Sequence, residues 1–249
     1  MDSKQYMTPG KPVIISPEAA FPDYLRVRTR ENRILTDEAV AVLPQVAPGH
    51  PHAKEWALRA KTLHRFQQYL DKNFSNKPLK ILDLGCGNGW MAHHLALHTA
   101  RQVRAADVNG TELQQGARIF GRENLIFWQV DILKDKLPEN DFDLIVLAAS
   151  VQYFPDLRAL IHVLKTCLKP GGEIHLLDSP LYANEAARNA ARERSRQYYE
   201  GVGIPEMAQH YYHHTWPELR AFGAKNLNNS LINKLFRRFR FPWVRIRGN

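Results

Sequence analysis

The order of hydrophobic and polar residues indicates one amphipathic helix followed by alternating strands and helices. Between Pro51 and Asn73, apolar side chains recur every three or four residues and lysine or arginine fills the other face, which predicts a helix. Beyond Lys77, apolar stretches of strand length alternate with helical patterns as far as Ser179. These stretches contain few polar residues, as expected for strands buried on both faces. The pattern therefore predicts an α/β fold in which helices cover both faces of a mostly parallel sheet.

The segments before and after this region follow other patterns. Six prolines within residues 1–50 disfavour long helices there, so we predict an arm with short extended pieces. The stretch from Asn184 to Tyr199 is rich in alanine, arginine and glutamate and predicts another helix. Thr215, followed three residues later by Glu218, has the spacing of a capping box at the start of a short helix.

Composition is typical of a globular protein of ordinary size. Of the 249 residues, 44% are hydrophobic and 24% charged, and no apolar run approaches the roughly 20 residues that cross a bilayer. The first residues lack the basic flank and long apolar region of a signal peptide, so we expect a cytoplasmic protein. The two cysteines, Cys86 and Cys167, are too few for a disulfide framework or a cysteine zinc site.

The basic character of the chain is concentrated at its carboxyl end. Residues 225–249 contain seven lysines and arginines and no acidic residue, and removing these seven from the net charge of +9 leaves only +2. Four aromatic residues alternate with the arginines here: Phe236, Phe239, Phe241 and Trp243. Such a mixture can stack on bases, lie on a lipid surface or form an edge strand. The alternation favours a half-buried strand.

A glycine-rich loop follows the first predicted strand of the alternating region. The strand Ile81–Leu84 leads directly into Gly85, Gly87 and Gly89, and a helical pattern follows. Glycines at such a turn let a ligand approach the backbone closely. The spacing is G-x-G-x-G and differs from the G-x-G-x-x-G of dinucleotide-binding proteins.

Three carboxylates stand where successive parallel strands are predicted to end: Asp83, Asp107 and Asp131. Ligands of open parallel sheets bind at the carboxyl ends of the strands, so we expect these side chains to converge on one crevice. Asp107 comes about 20 residues after the glycines, a spacing suited to binding both hydroxyls of a ribose.

Four sequence blocks in this order resemble the class I S-adenosylmethionine-dependent methyltransferase family over residues 77–180: ILDLGCGNG, VRAADVN, VDILKDKLPENDFDLIVLAASVQYF and LKPGGEIHLLDS. The resemblance implies a Rossmann-like methyltransferase fold with a seven-stranded, mostly parallel sheet. It implies S-adenosylmethionine as cofactor and S-adenosylhomocysteine as product. A sulfonium with an amino-acid head suits a pocket of carboxylates better than a pyrophosphate does, so a nicotinamide dehydrogenase is a distant second interpretation.

The family match also implies a role for each matched position. Asp83 and the Ala148 carbonyl are expected near the cofactor ammonium, and Gly85, Cys86 and Gly87 face its methionine part. Asp107 is expected to bind the ribose. Val108 would pack on the adenine, and Asp131 and Ile132 would bind the edge of that ring. The helix that contains Trp56 is expected to cover the cofactor as a lid. Arg59 or Lys54 would then meet the cofactor carboxylate, unless the arginine faces solvent.

Residues that could bind the methyl acceptor or remove its proton follow the fourth and fifth predicted strands of the alternating region. If the acceptor is a hydroxyl, a general base is needed, and histidine is the usual choice. The segment HYYHHTW supplies His210, His213 and His214, while Tyr153 follows the fourth strand. Ordinary packing is an equally good interpretation of these histidines. Their spacing could also bind a metal, but no carboxylate adjoins them, so we predict no metal site.

Together these features predict an arm (1–50), a lid helix (51–76), a cofactor-binding core (77–180) and a region with a substrate-covering insertion and final strands (181–249). The leading hypothesis is a methyltransferase for a small-molecule, lipid- or sugar-linked acceptor. The alternatives are an RNA methyltransferase that uses the basic aromatic carboxyl end, and a non-catalytic protein that binds the cofactor.

Overall fold

The computed structural model describes residues 10–16, 22–75, 77–228 and 241–248. The helices are α1 (Pro22–Arg30), α2 (Asp37–Ala41), α3 (Ala53–Asn73), α4 (Trp90–Ala96), α5 (Gly110–Phe120), α6 (Leu157–Cys167), α7 (Glu185–Val202) and α8 (Trp216–Arg220). The strands are β1 (Val13–Ile14), β2 (Leu79–Leu84), β3 (Arg101–Asp107), β4 (Leu125–Gln129), β5 (Phe142–Ala148), β6 (Leu168–Leu177), β7 (Lys225–Asn226) and β8 (Val244–Arg247). Short 3-10 helices cover Val151–Tyr153 and Pro205–His210.

The chain divides into two compact units. The first unit comprises Met1–Ala20 and Leu35–Asp131, and the second comprises Phe21–Ile34 and Ile132–Asn249. In the first unit, β1, β4, β3 and β2 are neighbours in that order, and all pair in parallel. In the second, β5 pairs in parallel with β6, which pairs antiparallel with β8.

The predicted α/β class with a mostly parallel sheet is confirmed, but the described residues contain eight strands rather than seven. The buried faces follow the apolar pattern closely. All five residues of β4 are buried, as are five of the six residues of β2. The amphipathic helix predicted from Pro51 to Asn73 corresponds to α3, which buries Trp56, Leu63, Phe66 and Leu70.

The N-terminal segment departs from the expected run of extended pieces. Among its described residues, only Val13 and Ile14 form a strand, whereas α1 and α2 are helical. One local and one tertiary contact stabilise α2. The Thr36 hydroxyl caps its first turn, and Arg118 of α5 binds the Asp37 carboxylate at 2.8 Å. The prolines of this segment did not prevent these helices.

The basic aromatic carboxyl end forms part of a sheet. Strand β8 lies between β6 and β7, so Val244–Arg247 does not form an edge strand. Two arginines of this strand, Arg245 and Arg247, lie 3.5 and 3.2 Å from the buried carboxylate of Glu173. The predicted contact residues Phe236 and Phe239 lie outside the described residues.

A buried histidine anchors β8 to β6. The Trp243 indole N–H donates to Nδ1 of His175 at 3.0 Å, and Nε2 of that ring lies 3.1 Å from a Glu173 carboxylate oxygen. An indole nitrogen can only donate, so Nδ1 accepts and the Nε2–H faces Glu173. Burial lowers the pKa of His175, which is consistent with a neutral ring.

A local capping signal correctly marked the start of α8, where Thr215 and Glu218 form the predicted capping box. In α7, whose helix was predicted from composition, Asn184 caps the first turn by accepting from the Ala187 N–H. Among the residues that the structure describes, no helix has the length and apolar character needed to span a bilayer.

Candidate functional site

The glycine loop leaves β2 through backbone torsions that favour glycine. Gly87 and Gly89 have φ angles of 55° and 74°, in the left-handed region where a side chain costs energy. The Gly85 N–H donates to the Ala106 carbonyl at 2.8 Å, which ties the start of the loop to β3. A Cβ on Gly89 would lie 2.4 Å from the Phe127 ring, so the close packing of the loop on β4 also requires glycine there.

Asp107, the last residue of β3, holds the loop in place. One carboxylate oxygen accepts from the Gly87 N–H at 2.7 Å, and the other accepts from the Asn109 N–H at 2.9 Å. The Asn109 side chain in turn caps α5 by accepting from the N–H groups of Thr111 and Glu112. The Asp107 carboxylate therefore links the glycine loop to the start of a helix.

Two acidic side chains in this part of the first unit have strongly raised pKa values. Burial, and then the charge of Asp107, raise the pKa of Asp83 to about 7. Burial, and then the charge of Glu112, raise the pKa of Asp107 to about 6. The Oδ2 atom of Asp83 is buried and has no hydrogen-bond partner among the described residues. An arrangement of this kind attracts a cation that carries N–H donors.

Cys86 has no character of a nucleophile. It is buried, and its Sγ lies 3.5 Å from the Gly87 carbonyl oxygen. Burial, and then the charge of Asp107, raise the pKa of its thiol, so the unreactive protonated form prevails. The loop therefore contributes backbone groups rather than a thiolate.

The other residues assigned to the cofactor are distributed over both units. Val108 follows β3 and Asp131 lies two residues beyond β4, both in the first unit. Ile132 begins the main segment of the second unit, and Ala148 ends β5 within it. Their contacts with a cofactor stay predictions. In the first unit the structure unites Gly87 and Asp107 by a hydrogen bond, with Asp83 close enough for its pKa to respond to Asp107.

The predicted lid helix α3 presents Trp56 and Arg59 in contact with each other. Trp56 is buried edge-on against Trp90 of α4, with the ring centroids 5.4 Å apart. The Arg59 guanidinium lies over the Trp56 ring at 4.9 Å and donates to Glu55 at 2.7 Å. Arg59 keeps further N–H donors, so its contact with a cofactor carboxylate stays a prediction.

The three candidate histidines of the second unit have different surroundings. His214 is 3% exposed, and its Nε2 lies 3.1 Å from the Val151 carbonyl, which gives the ring a structural partner. His210 ends the 3-10 helix and is half-buried. His213 is buried with Nε2 at 2.9 Å from the Ser195 hydroxyl, while its Nδ1 has no hydrogen-bond partner among the described residues. His213 is therefore the candidate with an available ring nitrogen.

His213 is neutral at physiological pH. Burial is the main cause, followed by the positive charge of Arg192, and together with other nearby cations they lower its pKa to about 4. Burial also lowers the pKa of His214. A neutral imidazole with an unpartnered nitrogen can exchange a proton with a ligand.

Tyr153 belongs to an aromatic cluster that sequence reasoning did not foresee. Its ring meets Tyr24 of α1 at 5.4 Å and Tyr211 at 5.7 Å, edge to face in both cases. Tyr211 also contacts Tyr199 at 6.0 Å and His213 at 5.3 Å. We call these residues the tyrosine cluster: Tyr24, Tyr153, Tyr199 and Tyr211. No sequence signal joins them, because Tyr24 and Tyr211 are almost 190 residues apart.

Metal-binding geometry is not found in the described residues, where no group of three or more histidine, cysteine or acidic side chains is arranged to hold an ion. The predicted spacing of His210, His213 and His214 therefore does not translate into a shared site.

Comparison with known proteins assigns the central part of the chain to a family. Residues 81–172 match the methyltransferase-domain family. The chain is 29% identical over 117 residues to a sterol 24-C-methyltransferase of Gibberella zeae, which is 45% of this chain and 31% of that protein. It is 31% identical over 128 residues to a ubiquinone biosynthesis O-methyltransferase of Xylella fastidiosa, 50% of this chain and 51% of that protein. These matches span about half or less of the relatives' lengths.

A solved structure supports the same fold over nearly the whole chain. Geranyl diphosphate C-methyltransferase from Streptomyces coelicolor superposes with a TM-score of 0.57 at 13% identity, over 93% of this chain and 99% of that one. At this identity the likeness concerns the fold. Residues 81–172 therefore match a methyltransferase domain, and the fold of the chain is that of the Rossmann-like methyltransferases.

Proposed function

We propose that the protein is a methyltransferase that takes its methyl group from S-adenosylmethionine and acts on a small-molecule, lipid- or sugar-linked acceptor. The observation that carries this proposal is the buried Asp83 oxygen without a partner, near Asp107 and its bond to the Gly87 N–H. The names of the relatives, which include sterol and ubiquinone methyltransferases, support the acceptor class.

The residues of the loop fit the cofactor chemically. An amino-acid ammonium group would supply a positive charge to the Asp83 carboxylate and an N–H donor to its unpartnered Oδ2. One Asp107 carboxylate oxygen accepts from the Gly87 N–H and the other from the Asn109 N–H. Both oxygens keep a further lone pair that can accept from the ribose hydroxyls. When bound, S-adenosylmethionine supplies a methyl group already activated by its sulfonium.

The chain's own part in catalysis is mainly positioning. Holding two reactants in line can supply up to about 7 to 11 kcal/mol of the barrier in favourable cases. For a hydroxyl acceptor, we assign proton removal to Nδ1 of His213, with the Ser195 hydroxyl fixing the ring through Nε2. The tyrosine cluster offers an apolar wall with a few hydroxyl groups, as binding pockets for organic acceptors require.

The cofactor affinity is expected to rise with pH between about 5.5 and 7. In the free protein Asp83 has a pKa of about 7 and Asp107 of about 6, so both carry protons at the lower end of this range. Pairing with an ammonium lowers the carboxyl pKa, and binding must therefore release protons, up to about tenfold in affinity per pH unit for each proton. Isothermal titration with S-adenosylhomocysteine across this range measures the slope directly.

Asp83→Asn provides the matched variant for this experiment, because it keeps the shape of the side chain and removes its charge. The variant is expected to bind S-adenosylhomocysteine more weakly, and its affinity should rise less steeply with pH because only Asp107 still contributes to the slope. Titrations in two buffers of different ionisation enthalpy count the protons released. An affinity that is flat or falls as pH rises would contradict the assignment of the ammonium to Asp83.

The acceptor class is tested by incubating the protein with methyl-labelled cofactor and either a small-molecule extract or total RNA. We expect label in the small-molecule fraction. The RNA alternative is weakened by the burial of Trp243 and by the proximity of Arg245 and Arg247 to Glu173. Label in RNA alone would favour that alternative, and cofactor binding without any label transfer would favour the non-catalytic one.

A further inference from the structure

One face of α7 carries arginines whose positive charge is incompletely matched. Arg188 and Arg192 are one helical turn apart, and Ser195, the hydroxyl partner of His213, follows on the same side. Arg188 contacts Glu185 through Nη2, but its Nε is buried and has no hydrogen-bond partner among the described residues. A buried guanidinium N–H without an acceptor is costly, which indicates that a ligand acceptor belongs there.

The acidic residues of α7 do not neutralise Arg192. Glu193 and Glu200 both pair with Arg196, and Glu185 pairs with Arg188. Within the described ranges, Arg192 has no carboxylate partner, and its side chain is exposed. Its charge reaches the neighbouring ring, since Arg192, Arg194 and Arg188 all help to keep His213 unprotonated.

We infer that Arg188 and Arg192 of α7 bind an anionic group of the methyl acceptor, a phosphate ester or a carboxylate, beside His213. This inference rests on the proposed function and adds a substrate class to it. Guanidinium groups bind planar carboxylates and phosphate oxygens through charge-assisted hydrogen bonds, and the unpartnered Nε of Arg188 supplies a fixed donor. The acceptor hydroxyl would then supply a hydrogen-bond partner to the buried Nδ1 of His213, which has none among the described residues.

Such an anion would also improve His213 as a base. A pKa of about 4 leaves the ring neutral but weakly basic at neutral pH. A negative charge next to the arginines offsets part of their effect and raises the histidine pKa. His214 and Arg194, which also lower this pKa, stay in place, so the shift is partial.

The test uses inorganic phosphate, pyrophosphate and acetate as probes at constant ionic strength. Isothermal titration gives their affinities, and NMR of the imidazole signals, assigned with His213→Gln, gives the pKa of His213. We expect at least one probe to bind at concentrations up to about 10 mM and to raise that pKa. Preference for the phosphates indicates a phosphate ester, and preference for acetate indicates a carboxylate.

Three arginine variants separate a built site from general attraction of anions. Arg188→Gln and Arg192→Gln are each expected to weaken probe binding about tenfold or more. Arg196→Gln on the same helix, whose carboxylate partners are Glu193 and Glu200, is expected to change it less than about twofold. Because Arg192 is exposed, its variant should fold even if the Arg188 variant does not, and circular dichroism checks both.

Absence of binding by every probe, or equal losses in all three variants, would overturn the inference. Titration of the same samples with S-adenosylhomocysteine distinguishes a failure of this inference from a failure of the proposed function. Cofactor affinity should stay unchanged in all three variants. Failure of the unmodified protein to bind S-adenosylhomocysteine would contradict the proposed function while leaving the anion measurement to stand by itself.

Discussion

Asp107→Ala is expected to weaken S-adenosylhomocysteine binding by about a hundredfold or more, the largest loss for any single acidic residue. Two charge-assisted hydrogen bonds to the ribose, each worth about 1.5 to 3 kcal/mol before water compensates, would be lost. The variant also leaves the N–H groups of Gly87 and Asn109 without the carboxylate that now accepts from them. Isothermal titration measures the affinity.

Asp37→Ala is the matched control. Asp37 lies in the same unit but on the surface, where its carboxylate pairs with Arg118. We expect the cofactor affinity of this variant to be unchanged. If Asp107→Ala bound as tightly as the unmodified protein, Asp107 would serve the loop and α5 only, and the assignment of the ribose to the end of β3 would be wrong.

Gly87→Val is expected to abolish measurable cofactor binding while the protein stays folded. A Cβ at this position meets Glu112 at 3.4 Å, an ordinary contact, so the surrounding side chains do not forbid it. The obstacle is the backbone torsion, because at φ 55° a β-branched residue is strained by about 1 to 2 kcal/mol or more. The loop is therefore expected to shift. A shifted loop loses the bond from Gly87 N–H to Asp107 and the close approach that a cofactor needs.

Gly89→Ala supplies the contrast, because there the obstacle is steric and lies inside the protein. The new Cβ would lie 2.4 Å from the ring of the buried Phe127, and overpacking of this kind costs about 1 to 3 kcal/mol. Urea denaturation should therefore show a larger loss of stability for Gly89→Ala than for Gly87→Val. Tight binding by Gly87→Val would mean that the glycine there serves the turn alone.

Much of the first unit could be predicted because its signals are local. The apolar runs that become β2, β3 and β4 carry their own strand pattern, and carboxyl ends of parallel strands must share one edge. Asp83 and Asp107 follow from that rule without any knowledge of packing. The start of α8 could also be predicted, since its cap depends on residues three apart.

Sequence reasoning failed where the outcome depends on partners distant in the chain. The sequence analysis missed the helices α1 and α2 because it relied on the proline content of residues 1–50. Tertiary contacts such as the ion pair between Arg118 and Asp37 cannot be recognised from the sequence. The basic carboxyl end was open to several interpretations. Its position between β6 and β7 depends on pairing with Glu173 and His175, about 70 residues earlier.

By itself the sequence determined the α/β class, the order of strands and helices, and the glycine loop with its acidic neighbours, because each depends on periodicity or short spacing. Only the tertiary structure distinguished His213, whose buried Nδ1 has no hydrogen-bond partner among the described residues, from His214, whose Nε2 lies near the Val151 carbonyl. It alone assembled the tyrosine cluster and left the Arg188 Nε buried without a partner among the described residues. Burial and hydrogen-bond partners arise from chain segments that meet only on folding, and no local pattern encodes those meetings.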